Sequence, residues 1–187
     1  MLAFQRKLIR LAMRCAFALL LVTGLSIPLP AFADDAVTEY QVKAAFLYNF
    51  SRFVNWPGAL DNTFRLCVIG QNPFENLLDG LIGKSVHDSI MVVETHDSTD
   101  TVHDCQVLFI SRSLEPRLDS IITAVDGLPI LTVSDIASFT DAGGMIGLGI
   151  ANNKIRFEIN TDAAGRAGLS ISSKLLSLAT VVRMEPR

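Results

Sequence analysis

The stretch Cys105-Gln106-Val107-Leu108-Phe109-Ile110 decides the fold. It is apolar almost throughout, passes into Ser111-Arg112-Ser113, and is followed by helical spacing over residues 114–125. A strand that alternates buries one face. A strand without alternation is covered on both, and sheets of that kind are largely parallel, with helices returning the chain across their faces.

The same rhythm appears on either side. Phe64-Arg65-Leu66-Cys67-Val68-Ile69-Gly70 reads as a strand, and Asn72-Pro73 predicts a helix through residue 82 with Pro73 at its first position. Residues 90–94 and 129–133 are further short apolar runs, and Ser134-Asp135 is expected to cap a helical turn. Upstream, Val42, Ala45, Phe46, Phe50, Phe53 and Val54 recur at steps of three and four, one face of a helix that Trp56-Pro57-Gly58 stops. After Gly143-Gly144 the pattern changes. Residues 145–151 and 154–160 are strand-like and only Asn152-Asn153 separates them, which predicts an antiparallel hairpin. In its second strand Ile155, Phe157 and Ile159 alternate with Lys154, Arg156, Glu158 and Asn160, giving one buried and one wet face. A last helix is expected from Ser172, with Leu175, Leu178, Ala179 and Val182 on one side. The expected fold is one α/β domain: a mainly parallel sheet flanked by helices, with an antiparallel C-terminal hairpin.

The first residues carry Arg6, Lys7, Arg10 and Arg14, then an apolar run over residues 15–25, then Ala31-Phe32-Ala33. Charge, apolar core and small-residue cleavage site together predict a secretion signal over residues 1–33, cut after Ala33, with the domain occupying residues 34–187 outside the cytoplasm. Gly24, Ser26, Pro28 and Pro30 break the run short of the ~20 apolar residues a spanning helix needs. The leader holds four of the 16 Lys plus Arg and none of the 19 Asp plus Glu, so the mature chain has a formal charge of −7. Nucleic acid, which requires a basic footprint, is therefore not an expected partner. Cys67 and Cys105 survive processing. An even count in an oxidising compartment favours one disulfide, against the alternative of two separately buried thiols.

Motifs for chemistry fail on spacing. Gly83-Lys84-Ser85 resembles the end of a phosphate loop, yet the signature needs glycine where Leu78 stands. Gly143, Gly144, Gly147 and Gly149 complete no dinucleotide fingerprint and are expected to allow a tight turn and close backbone approach. His87, His96 and His103 each precede an aspartate, but neighbours on an extended chain point to opposite sides. No metal, cofactor or catalytic residue is assigned. Two binding regions remain. Gln71, Asn72, Ser111, Arg112, Ser134 and Asp135 lie where strands end, the usual place for a ligand crevice in a parallel sheet, though Asn72, Ser111 and Ser134 are equally suited to capping. Met145, Ile146, Arg156, Glu158 and Asn160 on the hairpin are candidates for contact with another protein.

Lys43-Ala44-Ala45-Phe46-Leu47-Tyr48-Asn49-Phe50, followed by Phe53-Val54 and Trp56-Pro57, resembles the opening helix of the YfiR family of periplasmic proteins. Cys67-Val68-Ile69-Gly70, the run from Cys105 to Ser111, Leu131-Thr132-Val133-Ser134-Asp135, Gly143-Gly144-Met145-Ile146, the run from Ile155 to Asn160 and Ser172-Ser173-Lys174-Leu175-Leu176 continue the resemblance in order. It implies a periplasmic, non-enzymatic repressor of an inner-membrane diguanylate cyclase, bound through the cyclase's sensor region, lowering cyclic di-GMP and so bearing on biofilm formation. It further implies a homodimer, release by an outer-membrane lipoprotein, a redox-sensitive disulfide matching Cys67 and Cys105, and partner contact at Ile146 and Glu158. A second cysteine pair found in some members is replaced here by Thr140 and Gly147. A periplasmic small-molecule sensor, with its crevice at the strand ends, is the alternative.

Overall fold

The computed structural model describes residues 33–58 and 61–182. The chain divides into two units, Met1–Asp34 and Asp35–Arg187. The first, with the expected signal and its cleavage site, lies outside the described residues except for the start of one helix. The description that follows concerns the second.

Helix α1 (Ala33–Phe53) begins earlier than its apolar spacing predicts and turns a different stripe inward. Lys43, Ala44, Leu47, Phe50 and Ser51 are buried, whereas Val42 and Ala45 are exposed. The inward rotation follows from Lys43, which finds ionic partners inside, and from Phe46 and Phe50, whose rings lie 5.4 and 5.1 Å from that of Phe157. Strand β1 (Val54–Asn55) leads to β2 (Thr63–Ile69), β3 (Ser85–Val86), β4 (Ser89–His96) and β5 (Val107–Ile110). Helix α2 (Leu118–Val125) precedes β6 (Leu131–Ser134), β7 (Ile146–Ala151) and β8 (Lys154–Asn160); α3 (Thr161–Arg166), β9 (Ser170–Ile171), α4 (Ser173–Leu176) and β10 (Thr180–Val182) complete the unit.

The main sheet has the order β10-β8-β7-β6-β5-β2-β4-β3, with β1 and β9 forming a separate antiparallel pair. Parallel pairing joins β4, β2, β5, β6 and β7, and β10 runs parallel to β8; only β7 with β8 and β3 with β4 are antiparallel. Every residue of β5 and β6 is buried. Val107, Phe109, Leu131 and Val133 pack with α1, whereas Leu108 and Ile110 pack with Leu118, Ile121 and Val125 of α2. Cover on both faces is the reason these strands show no alternation. Asn152 and Asn153 turn the predicted hairpin with φ of 52° and 57°, the paired left-handed conformation its tight turn requires. Gly144 packs so closely on the Phe139 ring that a Cβ would overlap it, a close approach by a side chain where one by a neighbouring backbone was expected.

Three local expectations are corrected. Residues 72–82 form successive turns and one 3-10 segment (Asp79–Leu81), because Glu75 sits at φ 51° and interrupts any α-helix. Residues 136–143, directly after Ser134, form turns and no helix; the Ser134 hydroxyl accepts from the Ile136 amide and donates to the Ile110 carbonyl, holding the first of them. The helix from Ser172 lasts one turn, and Thr180-Val181-Val182, rich in β-branched residues, instead adds a parallel strand to β8.

Candidate functional site

Register brings the strand ends together. Ile110 of β5 pairs with Ser134 of β6, so Arg112 and Asp135 emerge side by side, and α1 lays Glu39, Tyr40 and Lys43 over them. Asp135 Oδ2 accepts from Tyr40 Oη at 2.8 Å and from Lys43 Nζ at 2.5 Å. Lys43 also pairs with Glu39, one helical turn earlier, and its ammonium lies 4.2 Å from the Tyr40 ring centroid. Arg112 Nη2 donates to the Asp135 carbonyl at 2.8 Å and lies 3.7 Å from Oδ2. The Lys43 and Asp135 side chains are each 1% exposed, whereas that of Arg112 is 63% exposed. Burial, then the hydrogen bond to Asp135 and its negative charge, push the Tyr40 hydroxyl above its ordinary range.

One atom of this cluster is left over: Asp135 Oδ1 is buried and has no hydrogen-bond partner among the described residues. An orphaned buried acceptor costs about 1–3 kcal/mol, more for a charged group. Beside it opens a cavity of about 520 Å³ lined by Glu39, Lys43, Arg112, Glu115, Asp135 and Ile150 among others. Of the expected crevice residues, then, Arg112 and Asp135 line the cavity. The other four do not. Asn72 Oδ1 accepts from the Phe74 amide, Ser111 Oγ from the Ser113 amide and Ser134 Oγ from the Ile136 amide, while the exposed Gln71 donates its amide to Ser113 Oγ. The side chains of Asn72, Ser111 and Ser134 thus hold turns, the capping role that was their alternative, and Gln71 contributes its backbone there. Glu39, Tyr40 and Lys43 were not expected there. The one available signal was a lysine on the Ala44, Leu47, Phe50 stripe with a glutamate four residues before it.

The hairpin divides by face. Arg156 and Glu158 are exposed and stand opposite Gly149 and Gly147, which offer no side chain to cover them. Thr140 Oγ1 donates to Glu158 Oε2 at 3.1 Å, and Gly147 lies against Thr140, so the two positions of the missing cysteine pair are neighbours. Met145, Ile146 and Asn160 are buried, at 4%, 0% and 0% exposure. They are corrected as surface residues: Met145 and Ile146 face the α1 core, and Asn160 donates to the Thr140 carbonyl while its Oδ1 accepts from Ala163 to cap α3. A disulfide joins Cys67 of β2 to Cys105 before β5, across a Cα separation of 6.0 Å, which sets aside the alternative of two free thiols.

Fold and sites define an α/β domain of the doubly covered, largely parallel class, with a polar cluster at its strand ends and an open hairpin face. The YfiR/HmsC-like family matches residues 40–180, and the chain belongs to that family. No helix among the described residues is long and apolar enough to cross a membrane. A solved conserved domain protein from Vibrio cholerae O1 biovar El Tor str. N16961 is similar with a TM-score of 0.53 at 13% identity, over 78% of this chain and 60% of that one. The ABC domain in complex with L-Trp from Streptococcus pneumonia reaches a TM-score of 0.49 at 8% identity over the same shares. The chain thus spans about 60% of the length of the solved structures it matches, and the first likeness bears on the fold alone.

Proposed function

We propose that the mature chain is a periplasmic repressor that captures the sensor region of an inner-membrane diguanylate cyclase and thereby lowers cytoplasmic cyclic di-GMP. Family membership supports the regulatory class, and the carrying observation is the solvent-facing row Lys154, Arg156 and Glu158 on β8, laid over a strand whose facing residues are Ala151, Gly149 and Gly147. Charges bared in this way are available to a partner without unfolding anything. Leu178 and Val181, exposed at 67% and 42% on the neighbouring C-terminal edge, add apolar area of the kind that marks contact surfaces. Repression requires tighter binding to the inactive cyclase conformation than to the active one, because equal affinity shifts no population. Homodimerisation and release by an outer-membrane lipoprotein belong to the same proposal. Titrating the isolated cyclase sensor region with the mature chain tests it: Glu158→Arg is expected to weaken binding at least tenfold while circular dichroism stays unchanged. Equal affinity for both proteins would remove Glu158 from the interface.

A second reading is favoured by Asp135 Oδ1 and its cavity. A small molecule with a cationic or N–H donor would satisfy the orphaned oxygen, and Arg112 would meet any acidic group it carried. A thermal shift screen of periplasmic metabolites separates the readings, since a native-state ligand at 100 times its Kd adds about 2.7 kcal/mol. Stabilisation lost in Arg112→Ala supports the sensor; no stabilisation by any compound counts against it.

A further inference from the structure

The side chains around the disulfide carry chemistry that neither reading uses. Strand β2 pairs in parallel with β4, with Cys67 opposite Glu94 and Ile69 opposite His96. Alternation therefore sends Cys67, Glu94 and His96 from the same face of the sheet, and Cys105 reaches that face as the other half of the disulfide. One ligand atom from each of Cys67, His96 and Cys105 lies within 4.8 Å of the others, and His96 Nε2 is 3.9 Å from Cys105 Sγ. With Zn–S about 2.3 Å and Zn–N about 2.0–2.1 Å, a tetrahedral centre needs its donors roughly 3.5–3.8 Å apart, so His96 already stands near its place and the two sulfurs, once their bond is broken, must separate to reach theirs. Glu94 Oε2 lies 3.3 Å from His96 Nε2 but outside the group of three, its other oxygen held by Arg65 at 3.3 Å, so it would have to swing in to serve as a fourth donor.

The histidine also has an outer partner in place. Thr101 Oγ1 donates its single proton to the Ser98 carbonyl at 3.0 Å, so at its 2.9 Å contact with His96 Nδ1 it accepts. Nδ1 therefore carries a proton and gives it to Thr101, the outer hydrogen bond that orients metal-bound histidines elsewhere, while Nε2, which now faces Glu94, is the atom left for a cation. His96 works with the cysteine pair and not with Asp97, its neighbour in sequence.

We propose that reduction of the Cys67–Cys105 disulfide converts this cluster into a binding site for a thiophilic divalent cation of the zinc type, with Cys67, Cys105 and His96 as ligands and the fourth position left to solvent or to a rotated Glu94. The balance is simple. A phosphine or dithiol reductant supplies two electrons and is itself oxidised, the S–S bond breaks, and two protons convert the sulfurs to thiols. The cation then displaces those two protons to solvent and binds two thiolates. In the oxidised protein the sulfurs are neutral and bonded to each other, so the site is closed. Oxidation and metal occupancy are mutually exclusive states of one pair of residues.

Cobalt(II) provides the spectroscopic probe. The mature chain reduced with a non-thiol phosphine should bind one equivalent, with thiolate-to-cobalt charge-transfer absorption and the intense visible bands of a four-coordinate ion, and zinc should displace it; the oxidised chain should show neither. His96→Ala, which leaves the disulfide intact, should weaken zinc binding to the reduced chain by more than about 100-fold, and Thr101→Val by about 10- to 100-fold, the cost of losing an outer-shell partner. Should the reduced chain unfold, zinc must restore its circular dichroism in the wild type and not in His96→Ala. Absence of charge-transfer absorption, equal affinity in oxidised and reduced protein, or zinc affinity indifferent to His96 would each overturn the proposal.

Discussion

The strand ends and the hairpin face both display charges, yet the charges mean opposite things. At the strand ends Lys43 and Asp135 are withdrawn from water and tied to Tyr40, Glu39 and Arg112. On the hairpin Arg156 and Glu158 stand in solvent over a glycine-bearing strand. A desolvated ion is expensive unless its partners are in place, so the first group is committed to the fold or to a ligand. A solvated ion costs little to keep free, so the second is available for recognition. Charge alone identifies neither role; burial does.

The largest test of that difference removes one buried partner. Lys43→Met should cost about 3–5 kcal/mol by chemical denaturation, because it leaves the Asp135 carboxylate inside without its cation, whereas Lys43→Met with Asp135→Leu should recover most of the loss. A single variant within about 0.5 kcal/mol of wild type would mean that the pair is solvated. A smaller effect is expected at Tyr40. Tyr40→Phe removes one hydrogen bond to a charged group, about 1.5–3 kcal/mol, and also changes the pH dependence. The folded-state hydroxyl titrates above its ordinary value of 10.0, so its contribution is fully present below pH 10 and is lost as pH rises beyond that, where the unfolded chain ionises first. Stability measured from pH 9 upward should therefore fall less steeply in Tyr40→Phe; equal slopes would remove Tyr40 from the account. The smallest effect on stability is expected on the hairpin, where Glu158→Arg should stay within about 1 kcal/mol, the worth of its one bond to Thr140.

The strands were legible where a single local signal dominated. Unbroken apolar character marked β5, and alternation with Asn152-Asn153 marked β7 and β8 almost to the residue. Helical spacing misled where a distant pairing outweighed it. Leu175, Leu178, Ala179 and Val182 fit one helix face, but Leu178 is 67% exposed and residues 180–182 pair with β8 instead. At residues 72–82 Asn72-Pro73 suggested a helix start, and one left-handed residue, Glu75, undid it. Arg112 and Asp135 could be named because strand ends are predictable places. Lys43 could not, since its partner lies 92 residues away and nothing local announces that a lysine will face inward. Burial of Met145, Ile146 and Asn160 was hidden for the same reason: the hairpin's periodicity shows which residues share a face, while α1 and α3 decide which of them are covered.

Cyclic di-GMP measured in cells lacking this gene and complemented in turn with wild type and Glu158→Arg, at matched periplasmic abundance, tests the central claim most directly. The account predicts that wild type brings the nucleotide down and that the charge reversal leaves it near the level of the deletion. A charge-reversed protein that restores the low level as fully as wild type would contradict it.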